Sequence, residues 1–120
     1  MISDRRWFDM IGYVGAIEGL LTAYSIFLSR CLASLGEEER RYGRYLARRL
    51  DLVEDRSWMY GGEDRERISR ALSLLEKARD VIMHVIGGGD YDTRDVELLI
   101  RSMEGMCCEL KLMALSVRAP

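Results

Sequence analysis

The chain reads as an all-α protein, an antiparallel up-and-down four-helix bundle, on three observations. Glycine-bearing breaks at Gly36, Gly61-Gly62 and Gly87-Gly88-Gly89 divide it into four segments. Within each segment apolar residues recur at the helical period, and no stretch shows sustained two-residue alternation. The single proline is residue 120, so no proline interrupts a helix from within. Long segments with short connections must pack as antiparallel neighbours, which sets helices at about 4–35, 37–60, 63–86 and 93–118 in a single domain, 1–120.

The first segment sorts into three strips when residues are placed at about 100° per step. Tyr13, Val14, Ile17, Leu20, Leu21, Tyr24, Phe27, Leu28, Cys31 and Leu32 form a wide face of large apolar side chains. Gly12, Gly15, Ala16, Gly19 and Ala23 form a small-residue strip beside it, and Glu18, Thr22, Ser25 and Ser29 a narrow polar seam. A membrane span needs about 20 apolar residues, which this segment supplies. It would also place Glu18 in hydrocarbon, at about 2.5–3.5 kcal/mol. The other three segments are half charged and need an apolar partner, so a soluble bundle with no membrane is expected. An interior glycine costs about 1 kcal/mol against alanine in a helix. Gly12, Gly15, Gly19 and Ala23 are therefore expected to meet another helix at close range, from this chain or from a second copy.

Ser34 and Glu37 have capping-box spacing, and Glu37, Glu38 and Glu39 suit the positive end of a helix dipole. The second helix is expected to bury Tyr42, Tyr45, Leu46, Leu50, Leu52, Val53 and Tyr60, with Arg49 among them. In a hairpin turning near Gly36, Arg49 falls one turn from Glu18, which predicts a Glu18–Arg49 pair at the seam. Arg40, Arg44 and Arg48 line the outer face. Together with interleaved tyrosines they could contact phosphates, but Glu37, Asp51 and Asp55 lie close by, so a solvated charged face is the expectation.

The third helix is expected to bury Ile68, Ala71, Leu72, Leu75, Ala78, Ile82 and Ile86, with Arg79 on that side and His84 on the polar one. The glycine triplet after it reads as a flexible connection. Asp92 or Thr93 caps the fourth helix, which buries Val96, Leu99, Ile100, Met103, Met106, Cys107, Leu110, Met113 and Val117. Cys108, Leu112 and Leu115 make a second apolar stripe on its outer side, which a monomeric bundle does not use and which predicts an association surface.

Composition excludes several functions. The net charge of −2 implies no whole-domain attraction to nucleic acid or an anionic membrane. Three cysteines, two of them adjacent, fit a reducing, cytoplasmic setting. One histidine and three cysteines without ligand spacing predict no metal site, and no cofactor motif is present.

One motif points to chemistry. Arg79-Asp80-Val81-Ile82-Met83-His84 resembles the Arg-x4–6-His signature of HEPN domains, small all-helical proteins that include dimeric RNA-cleaving toxins. The likeness covers residues 79 to about 118, and Asp80 stands where that family frequently has asparagine. It implies that Arg79 and His84 would converge on a scissile phosphate, with His84 transferring the proton. On a regular helix the two side chains leave toward different faces. The leading expectation is therefore a non-enzymatic interaction or oligomerisation protein, a homodimer or a small subunit of a larger assembly. A HEPN-type ribonuclease is the alternative, and a nucleic-acid-binding subunit using the second-helix arginines the third reading.

Overall fold

The computed structural model describes residues 4–56 and 63–116. Helix α1 (Asp4–Ile26) runs into a single π-helical turn (Phe27–Cys31), followed by α2 (Glu37–Glu54), α3 (Glu63–Ile86) and α4 (Thr93–Ser116). The molecule measures 50 × 24 × 19 Å, about two helix diameters in each cross direction. This is the two-by-two helical bundle that the periodicity predicts. Helix α1 packs against all three others, most extensively against α4. Helices α2 and α4 stand on opposite flanks with little contact between them. The open outer side of α1 therefore lies between those flanks.

The core is assembled from one stripe of each helix. Ile17, Leu21, Tyr24 and Phe27 of the first helix meet Leu46 and Leu50 of α2, Leu75 and Ile82 of α3, and Met103 and Leu110 of α4, all essentially without solvent contact. Burying one such side chain contributes about 1.5–3 kcal/mol. The Tyr13 hydroxyl donates to the Val53 carbonyl at 3.1 Å, tying α1 to the last turn of α2, where that carbonyl also accepts from the Arg56 amide.

The structure revises the expected helix ends. The first helix does not continue to residue 35: the Leu32 amide reaches back five residues to the Phe27 carbonyl, and a turn follows. Helix α2 stops at Glu54 and gives way to a turn at Asp55 and Arg56; the rest of its expected span, with Tyr60, lies outside the described residues, as do Val117 and Arg118. The Ser34 capping box is absent. Gly36 is the N-cap, with no side-chain cap hydrogen bond, and the Arg40 amide donates to its carbonyl. Ser34 sits two residues too early to reach the first turn.

The glycine triplet closes the C-terminal end of helix α3. The amides of Gly87, Gly88 and Gly89 donate to the carbonyls of Met83, Val85 and His84, satisfying the end of α3. Gly88 adopts φ +96°, a conformation glycine enters without penalty. At the start of α4, Asp92 Oδ1 accepts from the Arg94 amide at 2.8 Å and the Asp95 amide at 3.3 Å, so Asp92 is the cap.

A candidate association surface

The three glycines of α1 do not meet any helix of this chain. Beyond the backbone of its own helix and its chain neighbours, a Cβ built on Gly12, Gly15 or Gly19 would find no atom within 4 Å. The strip they form with Thr22 and Ile26 is the outward face of α1. It floors an open groove of about 480 Å³ lined by Gly15, Glu18, Gly19, Thr22, Ala23, Ile26, Tyr42 and Lys111. Tyr42 supplies the α2 wall and Lys111 the α4 wall.

The groove continues onto both walls. On α2, Tyr42 is 45% exposed, Tyr45 47% and Leu52 57%, where the sequence reading placed all three in the core. The reason is angular: Gly43, Leu46, Leu50 and Val53 occupy the buried stripe, and the other three residues lie within about 80° of one another, outside it. The Tyr42 and Tyr45 rings stack at 6.0 Å, and Tyr42 also tilts against Phe27 at 6.2 Å. On α4, Leu112 is 67% exposed and Leu115 82%, and Cys108 is exposed as well. Cys108 and Leu115 lie within about 60° of Lys111 around the helix, toward the outer edge of the α4 wall, and Leu112 lies about 100° from it.

The polar seam of α1 turns toward α4, not toward α2. Thr22 Oγ1 lies 3.8 Å from Cys107 Sγ, and that thiol is 3.9 Å from the Glu18 carbonyl oxygen. The expected Glu18–Arg49 pair therefore does not form: Glu18 faces the α4 flank, and Arg49 is exposed on α2 without an ion pair among the described residues. The seam charge is instead Arg79. Its Nη1 lies 2.8 Å from Asp51 Oδ1 and 3.5 Å from Glu54 Oε1, joining α3 to α2.

Tyr24 sits beneath this cluster, fully buried, its hydroxyl without a hydrogen-bond partner among the described residues. Burial raises the phenol pKa well above the ordinary tyrosine range, against a lowering by Arg79. Burial likewise raises the Glu54 carboxyl, with Arg79 opposing and the Glu76 and Asp51 carboxylates adding to the rise. Glu54 and Glu76 border a second cavity of about 420 Å³ with Arg65, Ile68, Ser69, Leu72 and Ser73.

Arg79 and His84 are not brought together. Both lie on the regular helix α3, about 140° apart around its axis, and the Arg79 guanidinium is engaged by Asp51 and Glu54. His84 is exposed and rests on Gly89, where its ring fills the space a Cβ would need. Arg40, Arg44 and Arg48 are all exposed on α2, with no ion pairs among the described residues. Among the described residues no group of three or more His, Cys, Asp or Glu side chains is placed to hold a metal ion.

Ile11–Cys31 is long and apolar enough to cross a bilayer by length and composition. Most of its large side chains, Ile26 excepted, belong to the bundle core. No protein-family model, curated protein or solved structure matches the chain.

Proposed function

We propose that this chain is a non-enzymatic association protein, a cytoplasmic helical bundle that works by docking a helical surface over α1, either as a homodimer or as a small subunit of a larger assembly. The observation that carries the reading is the open face at Gly12, Gly15 and Gly19. Three interior glycines cost about 3 kcal/mol of helix propensity, and nothing in this chain packs into the space they leave. A second helix laid on the strip would approach its backbone closely and cover Ile26 and Tyr42. The ion pairs of Arg79 and the separation of His84 from it favour this reading over phosphodiester cleavage.

Light scattering across a concentration series tests it, alongside Gly15→Leu and Gly19→Leu. The wild-type chain is expected to self-associate, or to form a stoichiometric complex with a defined helical partner. Each leucine variant is expected to keep its helical circular dichroism and melting transition while losing association. A wild-type chain that neither self-associates nor forms such a complex, or leucine variants that associate like wild type, would overturn the role of this face.

A further inference from the structure

The groove carries one acid, on its α1 floor, and one base, on its α4 wall, and the two are placed to pair between copies. Glu18 and Lys111 both line it, and neither forms an ion pair among the described residues. The Cys107 thiol lies level with Glu18 and Thr22 on α1. Helix α4 runs antiparallel to α1, so Lys111, one turn beyond Cys107, stands beside the stretch from Gly15 to Glu18.

Two symmetry axes lying in the plane of this face can be compared. A two-fold axis parallel to α1 places the α4 walls of the two copies on opposite sides, which leaves Glu18 and Lys111 unpaired. An axis perpendicular to α1 makes the two first helices antiparallel and keeps both α4 walls on one side. When that axis passes between Gly15 and Gly19, Gly15 lies over the partner's Gly19. The same operation sets Glu18 opposite the partner's Lys111, and it does so twice because the interface is isologous.

We infer that the occupant of the groove is a second copy of this chain, bound antiparallel about a two-fold axis near Gly15 and Gly19, with Glu18 of each copy paired to the partner's Lys111. This inference rests on the association reading above and fixes its partner and register. The charge pattern is self-complementary: the face presents the acid and the base that it also needs. The backbones approach over glycines, while Ile26, Leu115 and Cys108 of both copies close the rim.

The test uses two single variants, Glu18→Lys and Lys111→Glu, purified separately and then mixed. Each alone brings like charges together across the two-fold axis and is expected to self-associate about tenfold more weakly than wild type. In the mixed dimer both pairs are again opposite in sign, so mixing is expected to restore association to near the wild-type level. Pairing within one chain gives no such recovery. Failure to recover overturns the charge register, and it leaves the association reading standing if the wild type remains a dimer that Gly19→Leu disrupts. A monomeric wild type overturns the second-copy inference, and it overturns the association reading as well if the chain also forms no complex with a helical partner. If Glu18→Lys does not fold, Glu18→Gln serves instead: added salt weakens wild-type association, and this variant is expected to lose most of that dependence. An unchanged salt dependence overturns the pairing.

Discussion

Gly43 and the pair Gly15 and Gly19 occupy the interiors of neighbouring helices and give up similar helix propensity, but their surroundings are opposite. A Cβ on Gly43 would lie 2.8 Å from Ile86 Cδ1, 3.0 Å from Ile82 Cγ2 and 3.2 Å from Phe27 Cζ. Beyond its own helix, a Cβ on Gly15 or Gly19 would meet nothing within 4 Å. At Gly43 the missing side chain lets α2 close onto α3 and the π-helical turn. At Gly15 and Gly19 it leaves a channel that this chain does not fill. The lesson is that one residue type in the same local setting is a packing requirement in one place and an opening in the other, and only the neighbours separate the two.

Substitutions break or sharpen that contrast in decreasing order of effect. Gly43→Leu forces a branched side chain into a filled site, and overpacking there is expected to lower stability by about 3 kcal/mol in urea unfolding. An unchanged midpoint would mean that the α2–α3 contact is looser than the distances imply. Arg79→Met, close by, leaves Asp51 and Glu54 facing each other over the buried Tyr24 hydroxyl. It is expected to cost about 2 kcal/mol in the same assay.

On the open side the sign reverses. Gly15→Ala and Gly19→Ala clash with nothing in the chain, and each is expected to stabilise the isolated bundle by about 1 kcal/mol through helix propensity alone. The gain should appear as a raised melting temperature in dilute protein, where association does not contribute. Destabilisation there would show that these positions are packed after all.

The smallest effect concerns pH. The Glu54 carboxyl is raised by burial, so the fold holds its proton more tightly than the unfolded chain does. Its contribution to stability is fully present below the unfolded pKa and is lost as pH rises through the raised folded value. Compared with Glu54→Gln, wild type is therefore expected to lose stability progressively as pH rises above about 4.3, the ordinary glutamate value. Parallel urea midpoints for the two proteins across that range would rule out the assignment.

Much of this architecture is legible in the sequence because helix periodicity is a local property. The buried stripe of α3 and the Met103, Met106 and Leu110 stripe of α4 fall where spacing places them. The open glycine strip of α1 was legible as a strip, and the outer leucines of α4 as a second stripe. Tyr42, Tyr45 and Leu52 were misplaced because a stripe broad enough to include them is wider than α2 can bury with neighbours on only one side. Gly43 drew no expectation, although a glycine within an otherwise strong amphipathic helix was a readable signal of close approach. The Glu18–Arg49 pair failed for a different reason: angular position locates the polar seam on α1, but not which neighbour faces it.

The sequence by itself determined that four helices form, which stripe of each is apolar and where glycine and aspartate set the ends of α3 and the start of α4. Those features depend on backbone geometry and side-chain spacing within a few turns. Only the tertiary structure decided that α4 lies along the Glu18 seam, that Arg79 rather than Arg49 carries the ion pairs between α2 and α3, and that Gly12, Gly15 and Gly19 face outward. The bundle core uses the wide face of α1, and the small-residue strip is left on the far side of the same helix. Which strip is covered depends on the relative rotation and placement of whole helices, and that is fixed by the best joint packing of all four helices around one core.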